Sequence, residues 1–273
     1  MTSKSIKLLC LDLDGTLLGP DKRVSAGNRA ALGRARAAGL HLAIASGRHP
    51  FNICELFDEL DLPYDAVCLS GAYAMLDGRE VHRHVLDDET VGRVIDVVEA
   101  AGCYMSLAGA DFNLMAGHIE RKGGETPATR RYVRCASYDE LRAAAHERSG
   151  QILKAAAHAD DVNAYGRLRA ELRAIPGVEV VQSDVCWSDV CPAGCTKAEG
   201  IEALAGALNL TMDQVAAVGD DENDVASLAA VGLGIAMGNA LPAAKAAAKL
   251  VVADNEHDGV AEVIDLILQQ ESE

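Results

Sequence analysis

Short runs of apolar residues, each ending at a turn signal, recur along the first part of the chain. The runs at 6–11, 41–45 and 66–69 have the length and composition of buried strands. Segments with helical spacing lie between them, at about 25–39 and 50–60. This alternation of strands and helices predicts a parallel sheet covered on both faces, because parallel strands need crossover connections.

The pattern changes after residue 80. Apolar residues share one helical face at 91–98, a short strand is predicted at 104–108, and 178–187 is predicted to be extended. We therefore expect an α+β domain to be inserted into the parallel-sheet domain. The predicted boundaries are a first core part at 1–82, an inserted domain at 83–188, and a second core part at 189–273.

The first apolar run leads directly into the sequence Asp-Leu-Asp-Gly-Thr at 12–16. The carboxylates of Asp12 and Asp14 are thus predicted to lie where a strand ends, and open parallel sheets bind ligands there. Gly15 allows the backbone to bend at this point. An isolated Asp-x-Asp-Gly is more often a simple Asx turn, so the functional interpretation depends on a second acidic cluster.

That second cluster is Gly-Asp-Asp-Glu-Asn-Asp at 219–224, directly after the apolar run 215–218. Four acidic side chains within five residues repel one another and usually form a solvated loop. If they converge with Asp12 and Asp14, the site carries too much negative charge to be stable without a cation. Oxygen ligands, with room left for water and a phosphate, favour Mg²⁺ over Ca²⁺.

Two further segments offer groups that bind phosphate. Ser46-Gly47-Arg48 follows the second predicted strand and presents a hydroxyl and backbone N–H groups, although Ser-Gly alone is a common turn. Thr-Lys-Ala-Glu at 196–199 predicts a capping box that opens a helix. Lys197 would lie in the first helical turn, where the helix dipole favours anions. A single lysine is usually a surface charge, but here it is a candidate phosphate ligand.

Taken in order, these four motifs resemble those of the haloacid dehalogenase superfamily of phosphatases. Two segments, at 236–240 and 254–261, are similar to the closing region of its Cof-like subgroup, which commonly has Asn where this chain has Ser70. The resemblance covers roughly 5–82 and 188–268, and the middle matches only in length and position. It implies an α/β fold, with a Rossmann-like doubly wound parallel sheet core and an inserted α+β cap domain.

The resemblance also implies a mechanism. Asp12 would attack phosphorus and form an aspartyl-phosphate, being ionised at pH 7 without further activation. Asp14 would protonate the leaving oxygen and then take a proton from water. Mg²⁺ would be bound by the side chains of Asp12 and Asp220 and by the backbone carbonyl of Asp14, with Asp224 supporting the metal through water. The phosphoryl oxygens would be bound by the Leu13 backbone N–H, Ser46, Gly47, Lys197 and Asn223.

Composition narrows the possible partners. With a formal net charge of −16, the chain repels a nucleic acid backbone. No apolar run approaches membrane-spanning length, and four apolar residues at 8–11 are too few for a signal-peptide core. We therefore expect a cytoplasmic protein that acts on a small phosphate ester and binds neither nucleic acid nor membrane. The oligomeric state is left open.

The chain has eight cysteines, which we expect to be reduced because no export signal is evident. Cys186, Cys191 and Cys195 loosely resemble a metal-binding spacing. A zinc site is the less favoured interpretation, because no Cys-x-x-Cys or matching pair of histidines accompanies them.

A Gly-rich, polar stretch at 116–129 interrupts the inserted domain, with basic residues in and after it. A solvated charged surface is the favoured interpretation, since basic side chains usually lie at the surface. The alternative is a loop that recognises the substrate, because long loops are often functional. The basic residues are Arg121, Lys122, Arg130, Arg131 and Arg134.

Two other functions fit the same motifs. A phosphomutase of the same superfamily would return the phosphoryl group to its substrate, and a non-catalytic protein would only sense Mg²⁺ or a phosphorylated metabolite. The second is disfavoured because every chemical position is filled, Asp14 included. Hexose phosphates, other sugar phosphates and cofactor phosphates all remain candidate substrates.

Overall fold

A computed structural model of the protein describes residues 5–60, 65–118 and 129–270. The chain forms two compact units. The core unit comprises residues 1–46, 57–82 and 196–273, and the cap unit comprises 47–56 and 83–195.

The described residues form fourteen β-strands and nine α-helices. The strands are β1 Leu8–Leu11, β2 His41–Ala45, β3 Ala66–Cys68, β4 Tyr73–Leu76, β5 Arg79–Arg83, β6 Tyr104–Ala108, β7 Asn113–Ala116, β8 Val133–Arg134, β9 Lys154–His158, β10 Val178–Asp184, β11 Trp187–Pro192, β12 Val215–Gly219, β13 Leu233–Ala236 and β14 Leu250–Val251. The helices are α1 Ala26–Ala37, α2 Pro50–Leu60, α3 Asp88–Ala100, α4 Tyr138–His146, α5 Val162–Arg173, α6 Lys197–Ala207, α7 Val225–Ala230, α8 Pro242–Ala247 and α9 Gly259–Gln270.

The core unit is built on an eight-stranded sheet in the order β14-β13-β12-β1-β2-β3-β4-β5. The strands from β14 to β3 pair in parallel, whereas β4 pairs antiparallel with β3. All four residues of β1 are buried, and so are all five of β12, as expected for strands covered on both faces. The predicted parallel sheet is confirmed. Its centre is the pair β1 and β12, whose carboxyl ends carry the two acidic motifs.

Helix boundaries in the core follow local capping. Ser25 caps α1, because its side chain accepts a hydrogen bond from the Asn28 backbone N–H. Thr196 caps α6 in the same way, accepting from the Glu199 N–H at 3.4 Å. The predicted helix starts at these two residues are confirmed. Each cap places the first turn of its helix beside the sheet.

The cap unit has a six-stranded sheet in the order β10-β11-β9-β6-β7-β8, antiparallel except between β7 and β8. Helices α3, α4 and α5 bury an apolar core with this sheet, which confirms the predicted α+β architecture. The stretch 178–187, predicted to be a single extended segment, contains β10, a turn and the start of β11.

The predicted boundary at residue 188 lies inside β11 and would cut it. Because β11 pairs with both β9 and β10, the cap unit continues to residue 195. Residues 47–56, predicted to belong to the core, make most of their contacts within the cap unit. Of the predicted basic residues at 116–134, Arg121 and Lys122 lie outside the described residues. None of the described helices is both long and apolar enough to cross a lipid bilayer.

Candidate active site

The loop after β1 turns sharply and points its first carboxylate inward. The Asp12 backbone N–H donates to the Val218 carbonyl at 3.0 Å, which extends the pairing of β1 with β12 by one residue. The Asp12 side chain is buried, with 6% of the residue exposed. Gly15 has a φ of +81°, and a Cβ on it would lie 2.2 Å from Asp220 Oδ2. Only glycine fits this turn, because it has both the required φ and the required space.

Asp14 lies on the outer side of the same loop. Its side chain is partly exposed and accepts a hydrogen bond from Lys22 Nζ at 2.8 Å. The two carboxylates of the first motif thus have different surroundings, one buried and one in contact with solvent. This difference fits one fixed carboxylate and one that exchanges protons with water.

The loop after β12 is held by its last acidic residue. Asp224 Oδ2 accepts hydrogen bonds from the backbone N–H groups of Asp220, at 3.0 Å, and of Asp221, at 3.1 Å. A Cβ on Gly219 would lie 2.3 Å from Asp224 Cγ, so the carboxylate packs directly on the end of the strand. These contacts fix the direction of the Asp220 side chain, whose Oδ1 accepts from Thr16 Oγ1 at 2.7 Å.

Lys197, in the first turn of α6, joins the two acidic loops. Its residue exposure is 1%, so it is not a surface lysine. The ammonium donates to Asp12 Oδ1 and to Asp224 Oδ1, each at 2.7 Å. A buried ammonium requires such partners, and each charge-assisted bond is stronger than a neutral one. The structure thus brings Asp12, Lys197 and Asp224 together as an ionic cluster.

Burial and like charges shift the ionisation of this cluster. Burial raises the pKa of Asp12 to about 8, because the lowering effect of Lys197 is smaller than the cost of desolvation. Burial likewise raises the pKa of Asp220 to about 6. For Lys197, burial favours the neutral amine, but Asp12 and Asp224 outweigh it and raise the pKa above its usual value. Burial thus opposes the ionised form of Asp12, whereas the ammonium of Lys197 favours it.

The residues present fit a bound hard cation. One carboxylate oxygen from each of Asp12, Asp220 and Asp224 lies within 4.8 Å of the others. Both oxygens of Asp224 already accept bonds from the ammonium and from backbone N–H groups. Asp12 and Asp220 are therefore the better placed ligands, and oxygen ligands of this kind suit Mg²⁺. No cysteine is among the described side chains that are close enough together to share an ion.

The other predicted phosphate ligands differ in position. Ser46 directly follows β2 in the core unit and is buried, with its backbone N–H donating to the Val67 carbonyl at 2.8 Å. Gly47 belongs to the cap unit, where its carbonyl accepts from Lys154 Nζ at 2.7 Å. Asn223 lies in the turn before α7, and its buried Oδ1 has no hydrogen-bond partner among the residues that the structure describes. Since the two ends of an amide are interchangeable by rotation, Asn223 can present an unused donor at that position.

The structure also shows two contributions that the sequence did not assign. Thr16 supports Asp220, as described above. Asn239 Nδ2 donates to the Gly15 carbonyl at 2.8 Å, while its Oδ1 accepts from the Asn255 N–H at 3.2 Å. Thr16 and Asn239 lie in segments that carry the family resemblance, and this resemblance was the only feature of the sequence that could have identified them. Asn239 thereby ties the turn after β1 to the segment that precedes α9.

Known proteins match this chain over most of its length. Residues 9–264 match the haloacid dehalogenase-like hydrolase family. Pyridoxal phosphate phosphatase YbhA of Escherichia coli (strain K12) is 30% identical over 269 residues, which cover 94% of this chain and 97% of that protein. HMP-PP phosphatase of Klebsiella pneumoniae (strain 342) is 31% identical over 266 residues, covering 93% of each chain.

Among solved structures, a haloacid dehalogenase-like hydrolase from Bacteroides thetaiotaomicron has a TM-score of 0.79 and 25% identity, covering 96% of this chain and 100% of that one. The match extends over both the core and the inserted unit. The chain therefore belongs to the haloacid dehalogenase-like hydrolases and is a phosphatase of the Cof-like subgroup.

Proposed function

We propose that the protein is a Mg²⁺-dependent phosphatase that hydrolyses small phosphorylated metabolites through an aspartyl-phosphate on Asp12. The observation that carries the proposal is the buried cluster at the ends of β1 and β12. There, Lys197 Nζ lies 2.7 Å from the oxygens of both Asp12 and Asp224. A phosphoryl group needs such positive charge and fixed donors more than it needs covalent chemistry from the protein.

Asp12, Asp220 and the backbone carbonyl of Asp14 are the proposed metal ligands, with Asp224 in support. A bound Mg²⁺ supplies positive charge to the phosphoryl oxygens and favours the ionised form of Asp12. Stabilising the ionised form matters because burial raises the pKa of Asp12. Asp224 holds the loop and the lysine in place through its bonds to Lys197 and to two backbone N–H groups.

The phosphoryl oxygens are bound by Lys197, Ser46, Asn223 and the Leu13 backbone N–H, with Gly47 as the fifth proposed ligand. The ammonium of Lys197 has three protons, and its two carboxylate bonds leave one for the substrate. The buried Oδ1 of Asn223, which has no partner among the described residues, supports the assignment of this side chain.

In the first step, a carboxylate oxygen of Asp12 forms a bond to phosphorus while the bond between phosphorus and the ester oxygen breaks. Asp14 gives its proton to the departing alkoxide. In the second step, Asp14 removes a proton from water, and the resulting hydroxide attacks phosphorus. The bond to Asp12 breaks, inorganic phosphate leaves, and both carboxyl groups return to their starting states.

The relatives support a small-molecule substrate. Two that match over nearly their whole length are phosphatases of pyridoxal phosphate and of HMP-PP. We extend this chemistry to the protein as hydrolysis of sugar or cofactor phosphates in the cytoplasm, without nucleic acid or membrane partners. The net charge of −16 supports the exclusion of nucleic acid.

The test is a phosphate-release screen over some dozens of phosphorylated metabolites, with p-nitrophenyl phosphate as a generic ester. Turnover in Mg²⁺, its loss in EDTA and its recovery on adding Mg²⁺ back are expected. Asp12→Asn, assayed in parallel, controls for contaminating phosphatases. Full turnover in the metal-free protein, or in Asp12→Asn, would contradict the proposal.

A further inference from the structure

The turn after β13, residues 237–241, is fixed against the loop that carries Asp220. The Met237 N–H donates to the Gly219 carbonyl at 3.1 Å. The Leu241 N–H donates to the Asp220 carbonyl at 2.8 Å. All of these residues belong to the core unit, and we call 237–241 the β13 turn. Two backbone bonds, one on each side of its middle residue, thus hold the β13 turn to the loop after β12.

Asn239, the middle residue of the β13 turn, reaches the loop after β1 through its side chain. Its Nδ2 donates to the Gly15 carbonyl at 2.8 Å, and its Oδ1 accepts from the Asn255 N–H at 3.2 Å. These partners determine the orientation of the amide, because a backbone N–H can only donate and a carbonyl can only accept. The NH₂ group of Asn239 is therefore the end that faces the acidic loops.

The same NH₂ group lies beside the Asp220 carboxylate. The distance from Asn239 Nδ2 to Asp220 Oδ2 is 3.5 Å, while Asp220 Oδ1 accepts from Thr16 Oγ1 at 2.7 Å. Gly15 closes the third side, since a Cβ on it would lie 2.2 Å from Asp220 Oδ2. The Asp220 carboxylate is thus held between a hydroxyl on one oxygen and the Asn239 amide on the other.

This arrangement links two of the proposed metal-binding groups. Asp220 offers its side chain, and the Asp14 carbonyl immediately precedes the Gly15 carbonyl that Asn239 holds. Mg²⁺ demands near-ideal octahedral geometry, so the separation of its ligands decides how well it binds. Because the amide is neutral, it orients the carboxylate without adding positive charge that would repel a cation. Asn239 therefore has the position and the chemistry to prepare both loops for a cation.

Packing does not explain these contacts, because the Asn239 side chain is exposed. Asn255 provides a direct comparison. Its Nδ2 donates to the Leu18 carbonyl at 2.8 Å, which is a bond of the same length to the same loop after β1. Within the described part of the chain, the Asn255 side chain has no hydrogen bond to Asp220. The two asparagines thus differ in their relation to the acidic site and not in the kind of bond they make.

We propose that Asn239 is a positioning residue of the cation site. Its amide holds the Gly15 turn and the Asp220 carboxylate at the separation that a bound Mg²⁺ requires. Asn239 acts through these two groups and contacts neither the metal nor the substrate. The inference rests on the proposed Mg²⁺-dependent phosphatase function and adds a residue to which that function assigns no role.

Isothermal titration with MgCl₂ tests the inference on the parent protein, Asn239→Ala and Asn255→Ala. We expect the Kd for Mg²⁺ to rise about 10-fold or more in Asn239→Ala, because residues that orient metal ligands commonly change metal affinity by 10- to 100-fold. Asn255→Ala should bind Mg²⁺ like the parent. Parent-like affinity in Asn239→Ala would overturn the inference. An equal loss in both variants would also overturn it, since the cause would be a general loosening of the loop after β1.

Steady-state kinetics with p-nitrophenyl phosphate separate positioning of the metal from a structural role. In Asn239→Ala, the Mg²⁺ concentration that gives half the maximal rate should rise by the same factor as Kd, and excess Mg²⁺ should restore most of the lost rate. A merely structural residue would lower the rate at every Mg²⁺ concentration, and that result would contradict the inference. A higher KM for the ester with unchanged Mg²⁺ affinity would instead assign Asn239 to the substrate and likewise overturn it.

Failure of the phosphatase proposal has a different signature, because the parent protein would then release phosphate from no ester. The titration does not depend on turnover and still decides the role of Asn239. Weaker Mg²⁺ binding by Asn239→Ala than by the parent and Asn255→Ala supports the inference. A parent protein that binds no Mg²⁺ overturns it together with the proposed metal dependence.

Discussion

Lys197 Nζ and Asp224 Oδ1 lie 2.7 Å apart, and this ion pair links the first turn of α6 to the loop after β12. The other carboxylate oxygen of Asp224 binds the backbone of the same loop, so the lysine is fixed against a rigid partner. The ammonium is held at one position before any substrate arrives. Such preorganisation is what electrostatic stabilisation of a transition state requires.

Lys197→Ala should therefore lower turnover by on the order of 10²-fold or more, because it removes a charge-assisted contact to the transferring phosphoryl group. The change also leaves Asp12 and Asp224 buried without their cation, which should cost roughly 3–5 kcal/mol of unfolding free energy. Urea unfolding and steady-state kinetics measure the two effects. Lys7→Ala, at an exposed position of the core unit, is the control. Parent-like kinetics in Lys197→Ala would remove the lysine from the mechanism.

Gly71 lies against the start of α6, so substituting it tests how closely this helix must pack there. Its φ is +109°, and a Cβ on it would lie 2.0 Å from the carbonyl oxygen of Thr196, the residue that caps α6. Gly39 also has a positive φ, +82°, but nothing lies within 4 Å of its Cβ position. Gly39→Ala should thus show only backbone strain, of about 1–2 kcal/mol. Gly71→Ala should lose more stability and also lower kcat, because Thr196 and Lys197 must move. Equal losses of stability in Gly39→Ala and Gly71→Ala, with kcat unchanged in Gly71→Ala, would show that Gly71 does not pack closely against Thr196.

Metal binding should depend on pH because Asp12 must lose a proton. Its pKa is about 8 in the folded metal-free protein and about 3.9 in an unfolded chain. Between these values the folded state holds the extra proton, so the contribution of Asp12 to stability falls as pH rises. A bound cation favours the ionised form. The affinity for Mg²⁺ should then increase about 10-fold or more from pH 6 to pH 8.

Isothermal titration with MgCl₂ at several pH values measures this dependence. Asp12→Asn is the matched variant, and the part of the dependence due to Asp12 should disappear in it. An affinity independent of pH in the parent would mean that Asp12 is already ionised.

Substitutions of the two aspartates of the first motif should have different kinetic effects. With p-nitrophenyl phosphate, whose leaving group needs no proton, Asp14→Asn should still form the phosphoenzyme but hydrolyse it slowly. A burst of p-nitrophenolate and an added phosphoryl group on the intact protein are expected. Asp12→Asn lacks the nucleophile and should show neither. Intact-mass measurement after rapid quenching shows which variant carries a phosphoryl group. A phosphoryl group on both variants would mean that the nucleophile is another residue.

Local patterns in the sequence were sufficient to locate the elements that carry the site. Both acidic motifs were recognised because each follows an apolar strand, and Lys197 because a capping residue precedes it. The hydrogen bond between Thr16 and Asp220 was not predictable in this way, since it joins residues 204 positions apart. Such a contact depends on the register of β1 against β12, and hydrophobic periodicity does not report register.

The boundary of the cap unit was misplaced for a related reason. β10 and β11 are joined by a tight turn at Val185 and Cys186, and Cys186 adopts a φ of +59°. Such a conformation usually selects glycine or asparagine, which mark a turn in a sequence. Here a cysteine occupies it, so two strands were read as one segment.

The discontinuity of the core unit affects the order in which the molecule can assemble during synthesis. β1 is made long before its neighbour β12, which begins at residue 215. Residues 83–195, by contrast, form most of the cap unit as one continuous stretch. Because domains fold as their residues emerge, a nascent chain can complete much of its cap while Asp12 still lacks Lys197 and Asp220. The proposed phosphoryl site can therefore form only after α6 and β12 have been made and the sheet has closed.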